Sequence, residues 1–297
     1  MATVTSTQIT KINLIYNFIF RASADKKIRT YYYLLEPLFH AMSDNNMYLN
    51  LGYHDLKTEF TRPVVETQKQ MVKIVTNNFN KKGRWLDVGC GTGAPACLSA
   101  NTYPNINVEG INIVKTQIDK AKIVAKENKV NDRVRFHYGD AHSIPFSDNY
   151  FESIYAIESA FHFENKIQFI NESQRVLKAN GKISIADIVI RPEYLKFNDW
   201  YKVSIAKHGL AAKEFYSKDK WTRSIVDAGF NKVEASDITL NVANVLPHWI
   251  NLIKNNQSKL LKLYPQIFLT MLCRCLQYAY NNKDTCPFGY ILIKATK

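Results

Sequence analysis

Long apolar runs are missing from this 297-residue sequence. A membrane-spanning helix needs about 20 consecutive apolar residues. The best stretches here, 12–20 and 267–272, are far shorter and are flanked by polar residues. The opening residues MATVTSTQITK lack the basic-then-apolar layout of a secretory signal. Cysteine is sparse: Cys90, Cys97, Cys273, Cys275 and Cys286 form an odd, scattered set without a C-x-x-C pair. That pattern argues against a disulfide framework or a structural zinc and fits a reduced compartment. A phosphate loop of the form G-x-x-x-x-G-K-[ST] is absent, as are internal repeats and low-complexity linkers. The expectation is a cytoplasmic protein of ordinary globular composition, long enough for one domain carrying a sizeable insertion.

Negative charge is outnumbered, with 39 basic against 26 acidic residues and a net charge of +13. Such an excess invites nucleic acid, an anionic substrate or a membrane surface as partner. Lysine, however, outnumbers arginine 29 to 10 and asparagine is abundant, which is the mark of a compositional bias in the coding sequence. The lysines are spread along the chain, with only pairs such as Lys26-Lys27 and Lys81-Lys82. A solvated, drifted surface is favoured over a phosphate-binding face.

Residues 1–80 read as helical, with Tyr31-Tyr32-Tyr33-Leu34-Leu35 preceding Glu36-Pro37, apolar residues at helical spacing over 63–79, and a turn-rich break at 50–55. From Arg84 onward strands and helices alternate. Strands are expected at 85–88, 108–113, 134–138, 151–157 and 182–188, with helices at 95–102, 116–128 and 166–177 between them. That alternation argues for a parallel, doubly wound sheet. A helix at 221–228, a strand near 233–235, a helical block at 240–282 and a terminal strand at 289–293 complete the pattern. A helical block of that length exceeds any ordinary connection and reads as a cap or lid. The expected organisation is a helical N-terminal cap (1–80), a core (81–239 and 286–297) and an acceptor-binding lid (240–285).

The strongest chemical signal is Trp85-Leu86-Asp87-Val88-Gly89-Cys90-Gly91-Thr92-Gly93. An apolar strand ends in aspartate, and a glycine-rich turn then opens a helix near Pro95, where proline is tolerated in the first turn. Glycines allow a sharp turn and the close approach of a ligand, and the following helix N-terminus favours a negative group. The spacing is G-x-G-x-G, which differs from the G-x-G-x-x-G of dinucleotide binders and disfavours a nicotinamide oxidoreductase. Cys90 and Cys97 beside the turn read as packing residues.

Over roughly residues 45–190 the sequence resembles the class I S-adenosylmethionine-dependent methyltransferases, in the small-molecule branch that includes sugar O-methyltransferases and tocopherol methyltransferases. The resemblance implies a Rossmann-like doubly wound sheet, mostly parallel with an antiparallel last strand, flanked by the helical cap and lid. It implies S-adenosyl-L-methionine as cofactor and S-adenosyl-L-homocysteine as product. Asp87, Gly89, Gly91 and Gly93 would surround the amino-acid end of the cofactor. Most relatives carry an acidic residue where Asn112 stands. The departure resembles a branch in which a polar residue there works with a glutamine five positions on, and Gln117 is at that offset. By the same resemblance Asp140, followed by Ala141, accepts from the adenine amino group, and Tyr53 of the Asn50-Leu51-Gly52-Tyr53 segment lies over the cofactor.

The fourth strand runs into Ile157-Glu158-Ser159-Ala160-Phe161-His162-Phe163. Ligands bind outside the carboxyl ends of the strands of an open α/β sheet, so this loop faces the transferring methyl. His162 is the group there that titrates near neutrality and is the candidate general base. Ile157 is read as a cofactor neighbour, and Glu158, Phe161 and Trp249 as acceptor contacts. Tyr32, Phe161, Phe163, Phe215 and Trp249 could together wall an apolar pocket. No cluster calls for a metal.

The reaction expected is methyl transfer to a small-molecule acceptor, with oxygen slightly favoured over carbon or nitrogen. The [DNS]-P-P-[FYW] motif of nucleic-acid amino-methylating enzymes is missing, for the chain has no Pro-Pro at all, and the Pro-Cys nucleophile of cytosine-C5 enzymes appears only reversed, as Cys286-Pro287. Nucleic acid is therefore an unfavoured partner. An RNA methyltransferase of another type, a non-catalytic cofactor-binding subunit and a homo-oligomer all stay open.

Overall fold

The computed structural model describes residues 24–42, 47–58, 63–196 and 199–297. Two helices precede the sheet, α1 (Ala24–Met42) and α2 (Val64–Thr76). The alternating part then runs β1 (Gly83–Val88), α3 (Ala94–Thr102), β2 (Ile106–Asn112), α4 (Lys115–Glu127), β3 (Val134–Tyr138), β4 (Phe151–Ile157), α5 (Lys166–Val176) and β5 (Leu177–Ile190). After β5 come α6 (Trp200–Gly209), α7 (Lys218–Asp227) and β6 (Asn231–Asp237). Four helices, α8 (Thr239–Ala243), α9 (Leu246–Asn255), α10 (Gln257–Leu260) and α11 (Gln266–Asn281), then lead back to β7 (Phe288–Thr296).

The seven strands lie in the order β3-β2-β1-β4-β5-β7-β6. β1 to β5 pair in parallel, and β7 runs antiparallel to both of its neighbours. Side chains alternate across the sheet as strand geometry requires. On β1, Trp85 enters one buried cluster with Met71, Val75, Phe79 and Tyr155, whereas Leu86 and Val88 enter another with Phe151, Phe169 and Trp221. Trp85 is fully buried; its indole N–H donates to the Asn80 carbonyl at 3.1 Å, and its ring meets Phe79 edge to face. That satisfies the one polar atom of a large apolar side chain at the start of β1.

The helical block splits into four pieces. Helix α10 gives way at residues 261–265, and Pro265 stands immediately ahead of α11. Its core is a third buried cluster, built from Val245, Leu246, Trp249, Ile253, Leu260, Tyr264 and Leu269, with Leu38 of α1 and Val64 of α2. Helix α1 continues through Pro37 to Met42, so the proline does not end it. Tyr264 donates its hydroxyl to the Leu34 carbonyl in that same helix, one turn before Pro37.

Candidate functional site

Strand order reverses direction between β1 and β4, and the ends of those two strands open a crevice, as expected at such a switch point. The turn after β1 passes through Gly89, Gly91 and Gly93, all at positive φ (75°, 52° and 82°). A Cβ on Gly89 would stand 2.4 Å from the Cβ of Ser159, and one on Gly93 would stand 2.5 Å from the ring of Phe136. These two glycines let the turn nest against the β4 loop and β3. Gly91 instead faces Leu49 across the crevice.

The crevice holds a cavity of about 40 Å³, lined by the glycine turn, Asp87, Ile157, Glu158, Tyr32 and residues 47, 49 and 50. That is room for a few waters, and residues 47–50 with Tyr32 form its cover. Residues 47–51 are tied down by side chains. Gln68 donates to the Asn50 carbonyl at 2.7 Å, Thr92 to the Met47 carbonyl and Trp249 to the Leu51 carbonyl at 2.9 Å, while Glu158 accepts from the Leu51 N–H at 2.6 Å.

Buried polar atoms test whether the site suits a zwitterionic, ribose-bearing cofactor. Asp87 is buried at the end of β1, and its Oδ2 has no hydrogen-bond partner among the described residues. Burial pushes this carboxyl up to about 8, with the Tyr155 hydroxyl pulling the other way. A ligand ammonium placed here would restore the carboxylate. Asn112 at the end of β2 donates to Gln117 Oε1 at 2.7 Å, which leaves the buried Gln117 Nε2 without a partner. An unsatisfied acceptor at the end of β1 and an unsatisfied donor in the first turn of α4 fit such a ligand, since orphaned buried groups cost about 1–3 kcal/mol each.

Glu158 follows β4 in the left-handed region, φ 48°, uncommon for a residue with a side chain and frequent at functional sites. Burial raises its carboxyl to about 7, opposed by the Tyr290 hydroxyl and the Leu51 N–H. His162 lies on the 3-10 turn Ala160–His162 and is buried. Its Nδ1 is 3.3 Å from the Ala211 carbonyl and its Nε2 is 3.1 Å from the Tyr32 hydroxyl. A carbonyl can only accept, so Nδ1 carries the proton and Nε2 accepts from Tyr32. Burial holds the imidazole down to about 4, helped by Lys166. His162 is therefore neutral at neutral pH. It reaches the cavity through Tyr32, not directly.

The structure brings together Asp87, Gly89, Gly91, Ile157 and Glu158 around one cavity, with Asn112 and Gln117 at the next strand end. It places other expected residues elsewhere. Tyr53 packs at the edge of the first cluster and is not on the cavity wall; Met47, Leu49 and Asn50 are. Trp249 is buried in the third cluster with its N–H committed to Leu51. Phe161 lies behind His162, with Ala212 and Phe215. Asp140 forms a turn, accepting from the His142 N–H and pairing with its ring Nδ1 at 2.7 Å, while Ala141 is buried beneath.

Two residues escaped the sequence reading. Asp187 is fully buried on β5 and Lys166 is buried at the start of α5. The lysine donates to the Phe163 carbonyl at 3.1 Å and bears electrostatically on His162, so this pair braces the loop that carries the histidine. Desolvation raises the Asp187 carboxyl and lowers the Lys166 ammonium, each opposed by the other's charge. An aspartate within the apolar run Ile183-Ser184-Ile185-Ala186-Asp187-Ile188-Val189-Ile190 was a legible signal.

A family model described as a methyltransferase domain matches residues 79–229, half of the chain and all of the crevice floor. The chain belongs to that family. Its fold is that of the class I members, and the family's cofactor is S-adenosylmethionine. Among curated relatives, methyltransferase GfsG of Streptomyces halstedii is 32% identical over 168 residues, 56% of this chain and 59% of that protein. The 27-O-demethylrifamycin SV methyltransferase of Amycolatopsis mediterranei is 32% identical over 157 residues, 52% of this chain and 57% of that protein. The chain thus matches somewhat more than half the length of these relatives. Among solved structures, the [4+2]-cyclase SpnF superposes with a TM-score of 0.77 at 22% identity, covering 93% of this chain and 97% of that one. That likeness shows the fold.

Proposed function

We propose that this methyltransferase-family protein moves a methyl group from S-adenosylmethionine to a hydroxyl of a small, natural-product-like acceptor, with residues 240–285 covering the acceptor. The observation that carries the reading is the crevice itself, where Asp87 and Glu158 face the glycine turn beneath Tyr32, which is bonded to a neutral His162. The relatives' names add the preference for oxygen, since one of them is named for an O-demethylated substrate.

Asp87 would hold the cofactor's ammonium, backbone N–H groups of the turn its carboxylate, and Asn112 with Gln117 its ribose hydroxyls. When bound, the cofactor supplies an already activated methyl group, so the protein's main contribution is alignment, where effective molarities of about 10⁵–10⁸ M are available. Tyr32 and Glu158 orient the acceptor hydroxyl. His162 Nε2 takes its proton through the Tyr32 hydroxyl as the new bond forms. A base with a pKa near 4 suffices, because a hydroxyl becomes strongly acidic while it is being alkylated.

Replacing His162 with alanine tests the mechanism in the saturated enzyme. The turnover number is expected to fall by about 10²-fold or more with little change in S-adenosylhomocysteine affinity. An unchanged turnover number removes His162 as base. Calorimetric titration with S-adenosylhomocysteine tests the reading as a whole, which fails if no binding is seen at millimolar ligand.

A further inference from the structure

Residues 238–283 contain no aspartate or glutamate, yet hold Lys254, Lys259, Lys262, Arg274 and Lys283. At the density of the whole chain, 26 acidic residues in 297, a stretch of this length would carry about four. Positive charge that looks evenly drifted along the sequence is thus unaccompanied by acidic residues over this one stretch.

The same part exposes large apolar side chains in an ordered way. Ile267, Met271 and Tyr278 of α11 stand four and seven residues apart, which places them on one face of the helix. Tyr201 and Ile205 of α6, four apart, form a second ridge, and all five side chains are 44–66% exposed. The ridges meet at Lys202, whose ammonium donates to the Tyr278 hydroxyl at 3.3 Å and lies over the rings of Tyr278 and Tyr201 at 5.2 and 6.0 Å. Neither helix contains an acidic residue. Asp199, just ahead of α6, is paired with Lys202 at 2.7 Å. Beside the α11 ridge runs a groove of about 350 Å³ between α9 and α11, walled by Ile250, Ile253, Leu269 and Cys273 and flanked by Lys254 and Arg274.

Single exposed apolar residues need no explanation, whereas adjoining ridges of them mark a contact surface. We propose that this face docks on the surface of an anionic lipid bilayer. The ridges of α11 and α6 enter the headgroup layer, and the lysines and Arg274 meet phosphates around them, the arrangement by which interfacial helices bind anionic membranes. A second copy of the chain would bring the same unopposed positive charge against itself. Nucleic acid would engage the charges but leave the apolar ridges with no partner.

The test uses the full chain in co-sedimentation with vesicles of phosphatidylcholine alone and of phosphatidylcholine mixed with phosphatidylglycerol. Binding is expected to favour the anionic vesicles by about tenfold and to weaken as salt rises. Ile267→Glu with Met271→Glu should lower it by about tenfold or more without changing the melting temperature or the affinity for S-adenosylhomocysteine. Arg274→Glu should lower it by less. Equal partition into the two vesicle types overturns the proposal, as does a double variant that binds like the wild type. A dimer that the double variant splits, with no vesicle binding, gives the face to a second copy and overturns it as well. So does a duplex oligonucleotide that binds wild type and double variant equally while vesicles bind neither.

Discussion

Strands β1 and β4 hold Asp87 and Ile157 through backbone pairing with neighbours in the sheet, whereas residues 47–51 above them hang largely from single side chains. The floor of the crevice is thus part of the sheet ladder, buried on both faces under Trp85, Tyr155, Leu86 and Ile154. Disturbing it disturbs the fold. The cover has no ladder, and each tie contributes roughly 0.5–1.5 kcal/mol. Four side-chain bonds and the buried Tyr48 hold the cover over a cavity of about 40 Å³. The floor is fixed by backbone pairing and the cover by side chains.

The largest effect should come from the floor. Gly89→Ala adds a Cβ 2.4 Å from Ser159 at a φ of 75°, combining a left-handed penalty with overpacking. A loss of about 2–5 kcal/mol is expected in urea unfolding. If the variant unfolds at the wild-type midpoint, the rigid-floor description fails.

Next in size is a pH effect on the ligand. Glu158 and Asp87 both have folded-state values raised by burial, to about 7 and about 8, so their protonated forms dominate below those values. A cationic ligand favours the carboxylates, releases protons on binding and loses affinity as pH falls through that window. Titration with S-adenosylmethionine should show affinity weaker at pH 6 than at pH 8 by tenfold or more, at least about 1.4 kcal/mol. A flat profile would mean that neither carboxyl faces the cation. The stability sign runs opposite to that of an ordinary ion-paired carboxylate. Groups with raised folded values stabilise the free protein most below about pH 4, and that contribution is lost as pH rises toward 8.

On the cover, Trp249→Phe removes the donor to the Leu51 carbonyl and leaves that oxygen without it. About 1 kcal/mol of stability should be lost, with faster amide exchange at residues 47–53. Unchanged exchange there would show that the tie is incidental. The smallest effect belongs to Gly209→Ala at the end of α6, where a Cβ meets nothing within 4 Å. A change within about 0.5 kcal/mol of zero is expected, and a larger one would mean that this surface is already packed against something.

The same division explains what the sequence made legible. The floor is local: a strand, a glycine turn and a helix start lie within about a dozen consecutive residues, and Glu158 and His162 follow β4 at short offsets. Periodicity and turn chemistry reach that far. Tyr32 meets His162 across 130 positions, and Trp249 meets Leu51 across 198. No short-range pattern encodes which face of α1 turns toward the histidine, so Tyr32 could be read only as one aromatic among several. Trp249 looked like an acceptor contact because an indole in a helical segment carries no mark of whether its N–H is already committed. The charge is legible in a similar way: the Lys-over-Arg excess points to drift over the whole chain, and the lack of acidic residues over 238–283 shows only when the chain is divided by region.

The insertion of β7 between β5 and β6 has one more consequence. The four-helix segment leaves the sheet after Asp237 and returns before Phe288, and Asp237 lies opposite Ile291 on the adjoining strand. Thr239, at the start of the departing segment, accepts from the Tyr290 N–H at 2.9 Å, so departure and return lie side by side. A segment anchored this way is a cassette. Its length can change without moving the two strands, but its packing on Leu38 and Val64 and the bond from Trp249 to Leu51 tie its inner face to the helices and the cover that precede the sheet.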